Sequence, residues 1–444
     1  MRLRPVWRRF DRSCVLPLAA GLSLWMPFTW PARGGPLENY VKATDPHYNW
    51  KRTEQKKTDW GTLTHLEMVS QHWRDQFWSH HLIVARPNTV RNPAIGFLFI
   101  TGDGTGEKQV EWLRVLATRA GAVAAVITQI PNQPLYGGRE EDALIAYTFD
   151  QYLKTGDESW PLLFPMVKSA VRGLDTVQAC VANEFNQKVE RFVVSGASKR
   201  GWTTWLTGAV DPRVAALAPM VIDMLNMKAQ LAWAETVYGK QSEEISDYTE
   251  LNLHQKMDDP PMQKLRSWVD PYAYRARYTM PKLLLLGTND PYWTVDSLRH
   301  YWDELPGPKL LFQTPNAGHD LAGGQDALQT LAAFFQIVAD GQPLPRMTWR
   351  QTGGPGKAAI EVTTDQPAAG IRLWTATSKD RDFRDETWAS RALEVNSGSA
   401  SARATVETPD QGYRAYLAEV ELRSPTGHPY KLSTEARVTP DRVR

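Results

Sequence analysis

A serine, an aspartate and a histidine, Ser198, Asp290 and His319, occur in this chain in an order that acyl-transfer chemistry uses. Each follows a segment that predicts a β-strand. Ser198 lies at the turn between a short apolar strand and a helix within Arg191–Trp202, and the other two strands are Lys282–Leu286 and Lys309–Gln313. A serine hydroxyl becomes a good nucleophile only when a base takes its proton. The pattern therefore predicts an α/β-hydrolase triad, in which His319 is the base and Asp290 orients it.

Two other carboxylates compete with Asp290 for the role of the acid. Asp296 precedes a helical segment and fits a helix N-cap better. Asp223 lies at the end of the preceding predicted strand and is the second rival. Asp290 is preferred because it follows its own strand, in the turn Gly287–Asp290.

The predicted turn around Ser198 departs from the usual Gly-x-Ser-x-Gly sequence of a nucleophile elbow. Gly196 lies two residues before the serine, but Gly201 lies three after it, and Arg200 occupies a position that is usually small. The turn must therefore admit a longer side chain, or Arg200 must point away from the sheet. A strained turn of this kind would store about 1–3 kcal/mol.

Backbone N–H groups near the elbow are the expected donors of an oxyanion hole. The N–H of Lys199 directly follows the nucleophile. A second donor is expected from Gly102 or Asp103, in the glycine-containing loop after the apolar segment Ile95–Ile100. Losing one such donor typically costs about 3–4 kcal/mol of barrier.

The side chains next to the nucleophile allow two interpretations. Lys199 and Arg200 could bind an anionic substrate group, such as a uronate or a peptide carboxylate, or they could form ion pairs inside the protein. The second interpretation is favoured, because structural ion pairs are common beside such sites. Arg200, Trp202 and Trp293 are nevertheless kept as candidate substrate contacts.

The sequence predicts neither a bound cofactor nor a metal. A glycine-rich loop after a strand can cradle a phosphate, but neither Gly-Lys-Ser/Thr nor Gly-x-Gly-x-x-Gly followed by a helix occurs. The spaced histidines and cysteines of a metal site are missing too, and His80 and His81, adjacent in a predicted strand, would point to opposite faces.

Apolar segments alternate with helical patterns from about residue 95 to residue 337, which predicts a mostly parallel sheet covered on both faces. We therefore expect an α/β-hydrolase domain over residues 34–345. Residues 223–280 interrupt the alternation with aromatic-rich helices, which form either a lid over the site or a packing insertion. Short alternating segments then predict a small C-terminal β-sandwich over residues 346–444.

Residues 1–33 predict an export signal. A run of arginines precedes the mostly apolar segment Val15–Phe28, which is too short to span a bilayer comfortably. We expect a periplasmic or secreted protein without a stable membrane span after cleavage. The alternatives are an uncleaved N-terminal membrane anchor and a wrongly assigned start. Cys14 would leave with the signal, so that Cys180 could form no intrachain disulfide.

The charge of the chain gives no sign of a nucleic-acid partner. The first 33 residues hold six of the 51 basic residues and one of the 49 acidic ones, so the rest carries a formal charge of −3. Such a balance attracts neither nucleic acid nor acidic membranes. The expected partner is a small-molecule or peptide substrate, and the sequence leaves the oligomeric state open.

With these residues in view, the chain resembles the PhoPQ-activated pathogenicity-related protein family. The matching segments are Leu37–Val41, Asp45–Trp50, Gln129–Pro134, Glu140–Thr148, Pro165–Arg172, Ser195–Trp202, Val269–Arg275, Gly287–Asp290 and Pro315–His319. The resemblance implies a secreted α/β-hydrolase fold with an added β-domain, linked to virulence and to resistance against antimicrobial peptides. It implies the same triad, Ser198, Asp290 and His319, but no particular substrate.

The sequence departs from the pattern expected for this family directly after Asp290. Asp290 is followed by Pro-Tyr-Trp, where an acidic-aromatic run is expected, which would reshape the pocket but keep the acid. The Ser-x-x-Gly turn is also similar, more distantly, to that of glucuronoyl esterases.

The resulting hypothesis is a serine hydrolase that cleaves an ester or amide bond through an acyl-enzyme. Peptidase and carboxylesterase activities both remain open. The alternative is a catalytically inactive hydrolase fold that serves as a secreted binding or signalling factor, because a fold does not guarantee an activity.

Overall fold

The computed structural model describes residues 35–354, 356–395 and 400–443. The predicted export signal lies outside these residues. The helices are α1 (Pro36–Lys42), α2 (Val110–Ala120), α3 (Glu141–Thr155), α4 (Leu163–Phe185), α5 (Lys199–Val210), α6 (Met227–Tyr238), α7 (Ser246–Thr249), α8 (Pro260–Val269) and α9 (Gln325–Ala339). Among the helices of the described residues, none combines the length and the apolarity needed to cross a membrane.

One large sheet holds the first half of the strands. They are β1 (Asn49–Lys57), β2 (Gly61–Trp73), β3 (Gln76–Pro87), β4 (Ile95–Ile100), β5 (Val123–Ile127), β6 (Arg191–Ala197), β7 (Val214–Met220), β8 (Lys282–Gly287) and β9 (Lys309–Thr314). Their order across the sheet is β1-β2-β3-β5-β4-β6-β7-β8-β9. The first three strands pair antiparallel, β3 pairs antiparallel with β5, and the remaining pairs are parallel. This mixed sheet, with helices between its parallel strands, confirms the predicted α/β-hydrolase fold.

The central strands are mostly apolar because the sheet has an apolar core on each face. In β4, Leu98 and Ile100 lie in one cluster, and Ile95 and Phe97 lie in the other. Successive side chains of a strand point to opposite faces, so a strand covered on both sides can carry no polar face. This is why the sequence predicts β4 as a continuous apolar segment, with the bounds that the structure has.

Helices between β7 and β8 form the predicted insertion. It contains α6, α7 and α8, with short 3₁₀ turns between them. Tyr274, Trp268 and Leu253 of this segment belong to the same apolar cluster as α4 and α5. The insertion is therefore packed onto the main sheet's core and is not a detached flap.

The C-terminal strands form two antiparallel sheets, as predicted. They are β10 (Met347–Gly354), β11 (Lys357–Thr364), β12 (Gly370–Ser378), β13 (Ala389–Ala392), β14 (Ala400–Glu407), β15 (Tyr413–Arg423), β16 (Pro429–Ser433) and β17 (Arg437–Thr439). Three of them pair in the order β10-β11-β14, and four pair as β13-β12-β15-β16 with β17 beside β15. Ile360, from the first sheet, and Val420, from the second, belong to one apolar cluster, so the sheets face each other.

The same apolar cluster joins these sheets to the hydrolase part of the chain. It contains Phe335 of α9 and Phe312 of β9 together with the inner side chains of the sandwich. The described chain from Gly35 onward accordingly forms one compact unit. The boundary between residues 345 and 346 coincides with the start of a new sheet, and its division of the chain into two domains stays a prediction.

One strand of the large sheet is missed by the sequence pattern. The strand β1, with the sequence Asn-Trp-Lys-Arg-Thr-Glu-Gln-Lys-Lys, is exposed along almost its whole length at the edge of the sheet. Charged residues protect an edge strand from pairing with another chain. They also remove the alternation that would have predicted the strand.

Candidate active site

Ser198 lies at a sharp turn between β6 and α5. Its backbone has φ 56° and ψ −127°, in the region that residues with a side chain rarely adopt. Strain of this kind costs about 1–3 kcal/mol and exposes the serine beyond the end of the strand. The strand, turn and helix predicted around Ser198 are all present.

Close packing of α5 explains where the second glycine of the elbow lies. An ideal Cβ on Gly201 would lie 2.7 Å from Ile222 Cγ2 and 2.9 Å from the carbonyl oxygen of Met220. The third residue after Ser198 is therefore the one that must be small. The second residue after it, Arg200, directs its side chain toward Ile130 and Glu141, so the turn admits this long side chain.

Asp290 and His319 are joined by a hydrogen bond. The Nδ1 atom of His319 lies 2.8 Å from Asp290 Oδ2, and Asp290 Oδ1 accepts the backbone N–H of Tyr292 at 3.0 Å. Asp290 is 5% exposed. The Tyr292 ring lies against the His319 ring, with 4.4 Å between the ring centroids. The imidazole is therefore held by a carboxylate at one nitrogen and by an aromatic ring on one face.

The other ring nitrogen of His319 is uncommitted. Its Nε2 atom is buried and has no hydrogen-bond partner among the described residues. A proton on Nδ1, donated to Asp290, leaves Nε2 as a proton acceptor. Ser198 lines a cavity that is also lined by Tyr292, whose ring lies against His319 at a tilt. No direct hydrogen bond joins Ser198 to His319 in the described part of the chain, and in free enzymes this bond often tightens only with substrate.

The two cations beside Ser198 are paired with two carboxylates. Lys199 Nζ lies 2.9 Å from Glu141 Oε2 and 3.0 Å from Asp142 Oδ2. Arg200 donates from Nη1 and from Nη2 to the Glu141 carboxylate, both at 2.6 Å. Burial raises the pKa of Glu141, but the bonds and charges of Arg200 and Lys199 outweigh this effect and hold the pKa at about 2. These contacts match the internal ion-pair interpretation.

Arg200 also supports the loop that carries the expected oxyanion donors. Its Nε donates to the carbonyl oxygen of Ile130, and its Nη2 would lie 2.4 Å from a Cβ atom built on Gly102. The guanidinium therefore packs directly against the Gly102 backbone, and Arg200 is not among the described residues that line the cavity. This placement supports a structural role for Arg200, and its contact with a substrate stays a prediction.

The backbone groups expected to form the oxyanion hole lie on these supported elements. Lys199 is the first residue of α5, where an N–H has no intrahelical acceptor. Asp103 is exposed in the loop after β4, and Gln133 Nε2 lies 3.3 Å from its Oδ1 atom. The use of Lys199, Gly102 and Asp103 as oxyanion donors stays a prediction.

A mostly apolar cavity of about 130 Å³ opens at Ser198. The insertion supplies much of its wall, and both tryptophans that the sequence singled out, Trp202 and Trp293, line it. Trp202 donates its Nε1–H to the carbonyl oxygen of Val269, whereas Trp293 Nε1 is buried without a partner among the described residues. The predicted site residues do not include the four methionines of the cavity wall, although their presence in one insertion is a usable signal: Met224, Met227, Met257 and Met262.

The two rival acids do not contact His319 in the described structure. Asp296 was expected to cap a helix, but its side chain makes no cap bond. Asp296 is instead buried against Arg381 of the C-terminal sandwich, whose Nη2 lies 2.9 Å from Asp296 Oδ2. The carboxylate is therefore bound to this cation and not to the backbone of the following helical turn. Asp223 is buried and accepts the hydroxyl of Tyr301 at 2.6 Å. Burial raises the pKa of Asp223 to about 8, against the lowering effect of this bond.

Comparisons with known proteins give a family match and a similar curated protein. Residues 37–384 match the family described as PhoPQ-activated pathogenicity-related protein. The chain is 32% identical over 430 residues to Autocrine proliferation repressor protein A of Dictyostelium discoideum, a match covering 87% of this chain and 85% of that protein.

Two solved structures are similar in fold at low sequence identity. Acetyl xylan esterase from Paenibacillus sp. R4 has a TM-score of 0.49 and 13% identity, over 67% of this chain and 91% of that one. Acetyl Xylan Esterase 1 from a Thermoanaerobacterium species has a TM-score of 0.46 and 15% identity, over 67% of this chain and 92% of that one.

The end of β8 offers a test of how the acid and the base are held. An ideal Cβ on Gly287 would lie 2.3 Å from the carbonyl oxygen of Ala317 and 2.5 Å from that of Gly318. Gly287→Ala should therefore push apart the loops that carry Asp290 and His319. We expect a destabilisation of about 1–3 kcal/mol, measured as a lower melting temperature.

The matched control is Gly353→Ala, because a Cβ on that strand glycine would meet no atom within 4 Å. This variant should melt like the wild type. Equal melting temperatures for Gly287→Ala and Gly353→Ala would contradict the close contact between the two loops.

Proposed function

The chain belongs to the PhoPQ-activated pathogenicity-related protein family, and from that premise and the site geometry we propose that it is a serine hydrolase acting on carboxylic esters. The observation that carries the proposal is the Asp290–His319 hydrogen bond, which leaves His319 Nε2 free next to a cavity that Ser198 lines. An aspartate, an oriented histidine and a strained serine form the arrangement that activates a hydroxyl.

The proposed reaction proceeds through an acyl-enzyme. Ser198 Oγ attacks the ester carbonyl carbon while its proton passes to His319 Nε2. Asp290 stabilises the imidazolium that forms, and His319 then gives the proton to the leaving alcohol. A water molecule, deprotonated by the same imidazole, releases the acid and restores Ser198. An amide could react by the same steps, with an amine as the leaving group.

The oxyanion of the tetrahedral intermediate would accept hydrogen bonds from backbone N–H groups. Lys199 supplies one, and Gly102 or Asp103 supplies the other. Fixed donors act strongly because they need no reorganisation during the reaction. The support that Arg200 gives to Gly102 is consistent with a loop that must keep its place.

The location of the protein belongs to the same proposal. Residues 1–33 would direct the chain to the periplasm or out of the cell, where a hydrolase can meet substrates of external origin. The description of the family as pathogenicity-related supports a role in contact with a host.

A second candidate function follows from a relative. The similar protein of Dictyostelium discoideum is named an autocrine proliferation repressor, which describes a secreted signal. This chain could likewise act by binding a partner, with the hydrolase fold as its scaffold. The two candidates differ in whether Ser198 is an activated nucleophile.

A fluorophosphonate probe distinguishes them, because it reacts covalently with activated serines. The wild-type protein should be labelled, and Ser198→Ala should not be, as judged by in-gel fluorescence and by mass spectrometry of the modified peptide. Ser267→Ala, which changes an exposed serine of α8, is the matched control and should be labelled like the wild type. A folded wild-type protein that stays unlabelled would reject the hydrolase proposal and favour the binding function.

A further inference from the structure

The cavity at Ser198 allows the substrate class to be narrowed, on the basis of the proposed function. We propose that the acyl group of the substrate is uncharged and apolar, contains about six carbon atoms, and lies in the cavity of the insertion. Its wall is formed mainly by aliphatic, aromatic and methionine side chains, including Met224, Met257 and Leu265. Methionine side chains adapt to apolar groups of varied shape.

The charges at the cavity argue against an ionic acyl group. Lys199 reaches the wall, but its ammonium is bound to both Glu141 and Asp142. Tyr248, which also lines the cavity, donates its hydroxyl to Asp142 at 2.9 Å. Arg266, the other cation of the described lining, donates from Nη2 to a backbone carbonyl oxygen at 2.9 Å. A carboxylate placed among the mostly apolar side chains of the wall would still lose much of its hydration, which is costly. The sequence-based alternative of a uronate or peptide carboxylate at Lys199 and Arg200 is therefore disfavoured.

The position of the cavity relative to the base assigns it to the acyl side. A catalytic histidine delivers its proton to the leaving group, so the leaving group lies on the side of His319. The described lining of the cavity includes Ser198, Trp202 and Tyr292, whose ring lies against His319, but it does not include the imidazole itself. The group that fills the cavity is therefore the one that stays on Ser198 as the acyl-enzyme.

The volume sets the size of that group. The cavity measures about 130 Å³. An apolar protein cavity of about 150 Å³ binds benzene, so a group of about six carbons is appropriate here. An acetyl group would leave most of the wall without contacts, and a dodecanoyl chain would have to extend beyond the cavity into water.

A series of p-nitrophenyl esters tests this inference. We expect kcat/KM to rise about tenfold or more from acetate to hexanoate and to fall again for dodecanoate, because each buried methylene adds apolar contact. A monosuccinate ester should react at least about tenfold more slowly than butyrate, which has the same four-carbon acyl chain without the charge. Highest activity on acetate, on dodecanoate or on the succinate would overturn the inference.

Two variants at one position of the cavity wall test the same inference by changing the protein and not the substrate. Met257→Trp should shift the preferred chain to shorter acids, and Met257→Ala should shift it to longer ones. Lys228→Ala, which removes an exposed ion pair with Asp258 on the same insertion, is the control and should keep the wild-type preference. An unchanged preference in both Met257 variants would overturn the inference. Failure of the proposed function looks different, because then no ester is cleaved and Ser198 is not labelled.

A different set of contacts carries a second inference. We infer that the loop of residues 379–388, between β12 and β13 of the C-terminal sandwich, positions the acid and the base of the site. Asn289, which directly precedes Asp290, places its Nδ2 atom 3.2, 3.1 and 2.7 Å from the carbonyl oxygens of Phe383, Arg384 and Glu386. The Asn289 side chain thus links the turn that carries Asp290 to the sandwich by hydrogen bonds.

The turn of the histidine is tied to the same loop. Asn316 Nδ2 donates to the carbonyl oxygen of Trp388 at 2.9 Å, and Asn316 Oδ1 accepts the backbone N–H of Trp388 at 2.7 Å. Asn316 also has a positive φ of 57°, a conformation that asparagine adopts more readily than most residues. Asparagine at this position therefore satisfies both the turn and the contact with the sandwich.

The loop reaches the insertion as well. Arg381 pairs with the buried Asp296, and the guanidinium of Arg384 lies 4.3 Å from the centre of the Tyr238 ring of α6. The turn that carries Asp290, the turn that carries His319 and helix α6 of the insertion thus all contact one segment of the sandwich. Asn289 and Asn316 are positioning residues, because they hold Asp290 and His319 without touching a substrate themselves.

The rate of fluorophosphonate labelling tests this role. Asn289→Ala removes the three carbonyl contacts, and Asn316→Gly removes the Trp388 bonds while keeping the positive φ accessible. Each variant should lower the maximal labelling rate about tenfold or more, because small misplacements of reacting groups are costly. The half-saturating probe concentration should stay within about twofold, since the cavity is untouched.

The control for this experiment lies in the same sandwich. Arg346→Ala removes an exposed ion pair with Asp365, far from the loop in sequence, and should label at the wild-type rate. Folded Asn289→Ala and Asn316→Gly variants that label at the wild-type rate would overturn the positioning role. A wild-type protein that is not labelled would instead reject the proposed function, so the two failures are distinguishable.

Discussion

The contact between the turns that follow β8 and β9 is the constraint on which the site depends. Gly287 lies under the carbonyl oxygens of Ala317 and Gly318, so the two turns are closer than any side chain would allow. Thr288 Oγ1 accepts the backbone N–H of Asn316 at 3.0 Å and crosses between the turns. Only at this separation can a short aspartate reach the imidazole of the next turn. The sandwich loop then closes over both turns from outside.

A second constraint is the neutralisation of charge around the nucleophile. Lys199 and Arg200 bring two positive charges to the start of α5, where Glu141 and Asp142 at the start of α3 balance them. The ion pairs connect the elbow to α3, and the Arg200 guanidinium supports Gly102. Lys199 and Arg200, which from the sequence could bind an anion, are thus used in contacts inside the protein, and the cavity beside them is mostly apolar.

Much of this arrangement follows from the sequence. The parallel strands are mostly apolar on both faces, and each triad candidate lies in the turn that follows one of three of these strands. The edge strand β1 escapes prediction because its charges carry no periodicity. The partners of Arg200 and Asp296 escape it because they come from distant segments, Glu141 and Arg381, that only the fold brings close. For the same reason no local pattern indicates that Asn289 and Asn316 bond to the sandwich, although both lie inside motifs that the sequence singles out.

A crystal structure of the protein after reaction with a hexyl fluorophosphonate would test the central claim most directly. We expect phosphorus on Ser198 Oγ, the phosphoryl oxygen accepting hydrogen bonds from the N–H of Lys199 and from the loop at Gly102, and the hexyl chain in the cavity of the insertion. His319 Nε2 should lie within hydrogen-bond distance of Ser198 Oγ. An adduct on another residue, or a phosphoryl oxygen turned away from these N–H groups with His319 remote from Ser198, would contradict the claim.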